Sequence, residues 1–405
     1  MKIAIIGCGS TGLAAALFLH RAGHQVTLLE QFVAPRPIGA GLLLQPTGLA
    51  VLDALGLSDK ILALGQRIDH LFGRTLQGKV IFDLYYRDLM PDCFGLGVQR
   101  GALFTVLYEA VVAQHIPIQT SCVVSKTSIE QDKRCLFDAQ GQLLGAYDLV
   151  VDASGYRSVL RAQAAHMRLN KPYPYGAVWA VCADPDQRFG GHALQQRYSG
   201  AQMMTGIMAV GRQPQSHHGA AQPSTPCVTF FWSLRTGDFP QWRSANFTTW
   251  RDKIIQDWPE AAPIMMQLHR HADLTFAAYG DVVLQRWDAE RLVFIGDAGH
   301  SMSPQLGQGA NLGLIDAKIL HDCLHAKAHL PEALAYYTAQ RRGHIRFYQM
   351  ASRGLTPFFQ SDSWLAGIVR DYSFSPLAAL PIMRQEMLKV LAGMKTGLFS
   401  HRKFF

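Results

Sequence analysis

Six residues, Gly7-Cys8-Gly9-Ser10-Thr11-Gly12, constrain this chain more than any other stretch because of what stands on either side of them. Ile3-Ala4-Ile5-Ile6 is a short apolar run suited to a parallel strand buried on both faces, and Leu13 to Ala22 is apolar and alanine-rich, as in a buried helix. Between them Gly7 permits a tight turn, Gly9 lets backbone approach a bound group closely, and Gly12 lets the helix settle onto the strand. The helix start at Ser10 and Thr11 then offers unpaired N–H groups and a positive dipole end, a setting for a pyrophosphate. Gly23 supplies the helix stop, and Gln25-Val26-Thr27-Leu28-Leu29 reads as the next strand, ending on Glu30. A carboxylate there accepts from ribose hydroxyls and repels a ribose phosphate. The unit is a dinucleotide site suited to FAD or NAD rather than NADP, and these residues alone do not separate the first two.

A chain of 405 residues exceeds the usual size of a single core, which points to two interleaved domains. Its 38 basic and 30 acidic side chains give +8, spread without a basic run or nucleic-acid motif, so nucleic acid is a poor partner. Seven cysteines, none in a Cys-x-x-Cys pair, fit reduced thiols in the cytoplasm. The sixteen histidines lack metal-ligand spacing, so no metal site is expected. Ile3 to Ile6 is too short for a signal peptide's apolar region, and no run approaches the roughly eighteen apolar residues of a membrane-spanning helix.

Beyond Glu30 the pattern divides into regions. Pro35 to Gly41 reads as a glycine-containing loop, followed by Leu42-Leu43-Leu44, a turn at Gln45-Pro46, and a helix carrying Leu49, Leu52 and Leu55. Alternation in Lys79 to Tyr85 predicts antiparallel strands, and Gln99-Arg100 opens a helix with Leu103, Val106, Leu107, Ala110 and Val111 at helical spacing. Residues 166–275 hold β-type runs such as Met203 to Met208 and Val228 to Trp232, broken by Gly and Pro. Helices dominate from Asn311 onward. The predicted fold is α/β. A discontinuous Rossmann-like nucleotide domain (1–75, 97–165, 276–345) is interleaved with a mixed β-sheet domain (76–96, 166–275) and followed by a helical region (346–405).

Two further segments join the glycine turn. Asp148-Leu149-Val150-Val151-Asp152-Ala153-Ser154-Gly155-Tyr156-Arg157-Ser158-Val159-Leu160-Arg161 carries a strand into a loop. Later, Gly296-Asp297-Ala298-Gly299-His300 continues through Pro304, Gly307, Gln308, Gly309, Ala310, Asn311 and Asp316. With these three motifs the chain resembles, over nearly its whole length, the para-hydroxybenzoate hydroxylase-like flavoprotein monooxygenases, the single-component FAD family that includes the ubiquinone-pathway hydroxylases. The resemblance implies an FAD-dependent monooxygenase using NADH or NADPH and O2, acting through a C4a-hydroperoxyflavin. It implies that Asp297 binds the ribityl chain, that backbone from Gly307 to Leu312 lies against the isoalloxazine, that Arg100 reaches the cofactor, and that Pro304 shapes the oxygen pocket. A helix starting near Gly309 would aim its positive end at the flavin edge where negative charge gathers on reduction.

The second motif departs from the family's Gly-Ala-Asp-Gly. Ser154 stands in place of the aspartate, beside Gly155, which puts the choice between NADPH and NADH in question, with Asp152 as a possible compensating charge. The expected substrate is a small aromatic or lipophilic molecule, with Met203, Met208, Phe230 and Trp232 as candidate cavity residues, each of which reads equally as ordinary sheet core. The tail from Phe374 to Phe405 mixes Leu, Met and Phe with Arg384, Lys389, Lys395, Arg402 and Lys403, which suits packing on the FAD domain first and peripheral contact with a membrane second. A flavin-dependent halogenase shares the fold, but its Trp-x-Trp-x-Ile-Pro segment is absent. A flavin-linked reductase or dehydrogenase and a non-catalytic FAD- or ligand-binding protein stay open. The oligomeric state is not legible.

Overall fold

The computed structural model describes residues 1–36, 41–164, 166–212, 225–398 and 400–401. The loop glycine Gly39 and the tail cations Arg402 and Lys403 lie outside the described residues. Lys2–Ile6 pairs in parallel with both Gln25–Leu29 and Leu149–Asp152, and Leu292–Phe294 runs parallel beyond the latter. Ile118–Gln119 and the antiparallel Asp288–Ala289 complete a six-stranded sheet. The register sets Ile6 beside Leu29 and Asp152, and Asp152 beside Phe294. All four central strands therefore release their chain at one carboxyl edge, where open α/β sheets bind ligands.

The helix Ser10–Arg21 is apolar nearly all round because it is covered nearly all round. Leu13, Ala14, Ala15, Ala16, Leu17 and Leu19 have no exposed surface. Its small residues let it lie close to the sheet on one side and to the helix Gly309–Ala326 on the other. The two helices meet at Gly313, where an added Cβ would stand 2.1 Å from Thr11 Oγ1.

The second sheet has seven strands, in the order Thr275–Leu284, Met167–Ala183, Pro226–Arg235, Met203–Arg212, Ala193–Ser199, His70–Thr75 and Val80–Tyr85. It is mixed, because Ala193–Ser199 pairs in parallel with His70–Thr75 and the other neighbours are antiparallel. Its extent differs from the boundaries read in the sequence. His70–Thr75 and Thr275–Leu284 both belong to this sheet, which therefore reaches beyond the segments 76–96 and 166–275. Thr275–Leu284 pairs with the distant Met167–Ala183, so local pattern gives no sign of its sheet, whereas His70–Thr75 forms a hairpin with Val80–Tyr85 and gains its second partner, Ala193–Ser199, from far along the chain.

The helix Pro381–Leu391 packs where the two domains meet: Leu388 and Leu391 join Leu71, Leu84, Met208 and Val210 of the second sheet, and the chain after it bonds the nucleotide domain. Leu388, Leu391, Ala392 and Met394 are buried. The Tyr348 hydroxyl donates to the Val390 carbonyl (2.8 Å), the Thr47 hydroxyl to the Ala392 carbonyl (3.2 Å) and the Gln308 amide to the Leu391 carbonyl (2.6 Å). The preceding helix Trp364–Ala379 behaves otherwise. Trp364 is 75% and Tyr372 70% exposed, with the Lys79 ammonium over the Tyr372 ring, and Ile382 on the next helix is 79% exposed. No helix of the described residues is long and apolar enough to cross a membrane.

Candidate flavin site

Three loops, far apart in sequence, meet at the carboxyl edge of the parallel sheet. Gly7 has φ +98°, a conformation that favours glycine, and a side chain there would run into the Ala153 carbonyl at 2.8 Å. The first motif thus presses directly on the second. The third arrives through Gly296 and Gly313, both packed against Thr11. Thr11 therefore turns its hydroxyl into the helix contact and leaves its backbone for a ligand. Arg161 ties the last two loops together. Its guanidinium donates to the carbonyls of Gly155 (3.3 Å), Asp297 (3.4 Å) and Ala298 (3.0 Å), and also to Tyr156.

Open space at this junction fits an extended dinucleotide. A Cβ on Gly9 would meet nothing within 4 Å, and Gly307 is equally open. No side chain caps the helices starting at Ser10 and Gly309 among the described residues, so their first N–H groups are left for a ligand. Glu30 is buried at the end of its strand, its two oxygens accepting the N–H groups of Cys8 and Phe32 at 3.0 Å each. That fixes the carboxylate while leaving lone pairs for ribose hydroxyls. Burial, with the charge and hydrogen bond of Glu30, pushes the Cys8 thiol up to about 12, so it stays an unreactive thiol. Asp297 is exposed, its carboxylate 3.9 Å from the Cβ position of Gly309. It faces the start of the second helix, with Ala310 partly exposed on the next step.

Asn311 holds the site together from inside. Its side chain accepts from the Gln45 N–H (2.8 Å) and donates to the carbonyls of Leu43 (3.2 Å) and Gly307 (3.0 Å). This clamps the segment Gly41–Leu44 onto the Gly309 helix, and only the backbone of Asn311 is left for a cofactor. Pro304 opens a short turn fixed from behind, because the Ser303 hydroxyl bonds those of Ser352 (2.7 Å) and Thr356 (2.8 Å).

Beneath the loops lies a buried charge cluster. The Asp316 carboxylate accepts from the Gly296 N–H (2.7 Å) and Arg341 Nε (2.6 Å), and lies 2.5 Å from His300 Nε2. Arg341 reaches on to His344 Nδ1 (2.6 Å), whose Nε2 lies 2.9 Å from the Gly393 carbonyl. Burial by itself would raise the Asp316 carboxyl, but His300 and Arg341 outweigh it and hold it well below its usual value. Asp316 and His300 were in the quoted motif without a role. Arg341 was missed, and a basic residue 25 positions past an inward aspartate carries no local signal.

Asp152, read as a compensating charge for Ser154, is fully buried. It accepts from the Ser154 N–H (3.0 Å) and hydroxyl (2.6 Å) and from the Ser158 hydroxyl (2.5 Å). Burial pushes its pKa up, against those hydrogen bonds and Arg161. It is a turn-forming residue and presents no charge to a nicotinamide.

The substrate residues need correction. Phe230 and Trp232 point away from the flavin loops, into a cluster with Trp242, Trp250 and Trp258 under the helices 239–265. Met203 shares that parity, since Thr205, two residues on, pairs with Trp232. Only Met208 faces the other way, packing with Leu43, Ile68 and Val210. Residues one step along fill that face: Phe231 lies 4.8 Å from Trp179, whose indole donates to the Tyr279 hydroxyl at 3.1 Å. Thr229, on the same face, accepts from the Gly41 N–H at 3.3 Å, which joins the sheet to the segment that Asn311 clamps. Burial pushes the Tyr279 phenol up, opposed by the Trp179 bond and the charge of Arg100. Arg100, exposed at the start of the helix Arg100–Ala113, thus stands where the nucleotide domain meets the second sheet.

Residues 1–349 match the family described as FAD binding domain. The chain belongs to this FAD-binding family. Curated relatives include the aurachin C monooxygenase/isomerase of Stigmatella aurantiaca, 26% identical over 352 residues, covering 84% of this chain and 85% of that protein. Another is the 3-amino-4-hydroxybenzoate 2-monooxygenase of Streptomyces cremeus, 26% identical over 363 residues, covering 84% and 83%. Among solved structures, Klebsiella pneumoniae HpxO complexed with FAD and uric acid has a TM-score of 0.79 at 19% identity, covering 98% of both chains. Pseudomonas aeruginosa PqsL in complex with 2-aminobenzoylacetate has a TM-score of 0.76 at 20% identity, covering 91% and 99%. The FAD-binding family accords with the open turn at Gly9, the fixed Glu30 and the exposed Asp297.

Proposed function

We propose that this protein is an FAD-dependent monooxygenase that uses NADH or NADPH and O2 to hydroxylate a small aromatic or lipophilic substrate. One observation carries the reading: the junction of the three glycine loops sits directly beside the aromatic face of the second sheet, through Gly41–Leu44. Bound flavin supplies the electron transfer and the activation of O2. The chain's own part is placement. Gly9, Ser10, Thr11 and Glu30 hold the adenosine end, Asp297 the ribityl chain, and backbone from Gly307 to Asn311 the ring. Ser154 and Gly155 shape the middle of the site, and Arg100 reaches it from the domain boundary. Met208, Phe231, Trp179 and Tyr279 provide an apolar wall that positions a flat substrate and excludes water, with Pro304 as a rigid edge. Relatives named for aminohydroxybenzoate and hydroxynicotinate support an aromatic substrate.

The exposed face of Trp364, Tyr372 and Ile382 suits peripheral contact with a membrane surface from which a lipophilic substrate would be drawn. Co-sedimentation with anionic vesicles, lost on Trp364→Ser, tests that contact. The decisive experiment for the activity follows NADH and NADPH oxidation across phenols and quinolones, with mass spectrometry for a gain of one oxygen. Nicotinamide oxidation that never yields oxygenated product would leave a flavin-linked reductase. A yellow protein that neither nicotinamide reduces would leave a binding protein.

A further inference from the structure

The outer face of the seven-stranded sheet holds a cation with little to balance it. Along Ala193–Ser199 side chains alternate, so Tyr198 joins the inner cluster with Phe231 while Arg197 faces the opposite side. Arg197 is only 4% exposed, its guanidinium 4.3 Å from the centroid of the buried Trp258 ring. Among the described residues its hydrogen bond goes to a backbone carbonyl, that of Gln196 at 3.2 Å, and no carboxylate forms an ion pair with it. The nearby Glu260 pairs with Arg74 instead, at 3.4 Å. The indole N–H of Trp258 is also buried without a partner among the described residues. Burial, with repulsion from Arg74 and against the attraction of Glu260, brings the Arg197 pKa down to about 10, so on balance the surroundings disfavour its charge.

These groups line a cavity of about 340 Å³ formed by Arg188, Phe189, Gln195, Arg197, Trp258 and Glu260. Its far wall is a fixed loop, because Asp184 accepts the N–H groups of Arg188 (3.0 Å) and Phe189 (2.9 Å). Of the lining arginines, Arg188 is more than half exposed and pairs with Asp186 at 3.3 Å, while Arg197 is buried, and the exposed Glu260 at the rim pairs with Arg74. The Asp184 carboxylate is spent on the backbone behind the loop, so the groups that the buried lining offers a ligand are donors, the Arg197 guanidinium and the Trp258 indole N–H.

We propose that this cavity is a second binding site, remote from the flavin, that takes the carboxylate or phosphate head of a small organic acid through Arg197, Arg188 and the Trp258 indole N–H. An oxyanion matches the planar fork of a guanidinium and pairs a cation that otherwise lies buried and unpaired. The site stands independently of the monooxygenase reading, since it shares no residue with the flavin junction. Calorimetric titration of the FAD-loaded enzyme with benzoate and with inorganic phosphate, in an otherwise anion-poor buffer, tests it and tells the two head groups apart. Saturable binding of at least one probe is expected, with no change in the flavin absorbance. Arg188→Ala should weaken it about tenfold, and Glu260→Gln, at an exposed position that endangers no fold, should tighten it several-fold. Arg197→Gln should abolish it. Absence of binding by both probes, affinity unmoved by Glu260→Gln and Arg188→Ala, or a flavin spectral change that tracks the titration would each overturn the assignment.

Discussion

Gly313→Ala tests how the flavin site is built, because Gly313 is where the helix Gly309–Ala326 crosses the helix Ser10–Arg21. The new Cβ would stand 2.1 Å from Thr11 Oγ1, where ordinary contacts begin near 3.4 Å, so the helices must part by about 1.3 Å. Overpacking of that kind costs about 1–3 kcal/mol. Against it, alanine gains up to about 1 kcal/mol over glycine in helix propensity, which leaves a net loss of about 0–2 kcal/mol and makes fold stability a poor readout. FAD affinity is the better one, because propensity does not enter it, whereas parting these helices separates the turn at Gly9 from Asp297. If the strain falls on that separation, affinity drops about 5- to 150-fold. Titrating apoenzyme with FAD and following flavin fluorescence measures this directly. Thr11→Ala removes the clashing oxygen and leaves the Thr11 Cβ at 3.3 Å, so the double variant should recover most of the loss. Thr11→Ala alone should bind FAD as the wild type does, since its hydroxyl is spent on the helix contact. Wild-type affinity in Gly313→Ala, or failure of Thr11→Ala to restore it, would refute this interlock.

Asp297→Ala should purify with less flavin, read as the ratio of visible to protein absorbance, while melting with excess FAD stays near wild type; full occupancy would count against its ribityl role. Asp316→Asn leaves Arg341 and His300 buried without their anion and should cost about 3–5 kcal/mol in chemical denaturation. The Asp316 carboxyl is held below its ordinary value of 3.8, so the unfolded chain binds more protons in that range. Its contribution is then complete above that value and is lost as pH falls toward the folded value, and the asparagine variant should show a shallower acid decline. Phe230→Ala should cost about 3–5 kcal/mol of stability with KM unchanged, and Phe231→Ala should raise KM with a smaller loss of stability. A KM effect at Phe230 and none at Phe231 would reverse the assigned faces.

The nucleotide half was legible because each of its signals is local and physical. A buried parallel strand, a glycine turn and an alanine-rich helix constrain one another within about twenty residues, and Glu30 follows at a strand end. The same holds for Gly296-Asp297 and the Gly309 helix. What the sequence did not disclose is how the three loops interlock. Thr11 against Gly313, Gly7 against Ala153 and Arg161 against the Ala298 carbonyl are contacts across 137 to 302 positions, and nothing beside any of these residues names its partner.

The substrate wall fails in sequence for a different reason. Met203 to Met208 and Val228 to Trp232 were correctly read as strands, yet Pro226–Arg235 is buried on both faces, with Thr229, Phe230 and Phe231 all covered. Alternation distinguishes inside from outside only when one face meets water. Here the outer face is roofed by the helices 239–265 and the inner face by the segment at Leu43 and the C-terminal helices that carry Phe359, Phe374 and Leu388, so apolar residues occupy both parities and hydropathy carries no label for either. What separates Phe231 from Phe230 is the neighbouring strand: Phe231 pairs with Trp179, and Trp179 reaches Tyr279 near Arg100. The face of a doubly covered strand is decided by its register with partners. For that reason the residues that choose a substrate in this fold are read from pairing in space, while those that hold the cofactor are read from the chain itself.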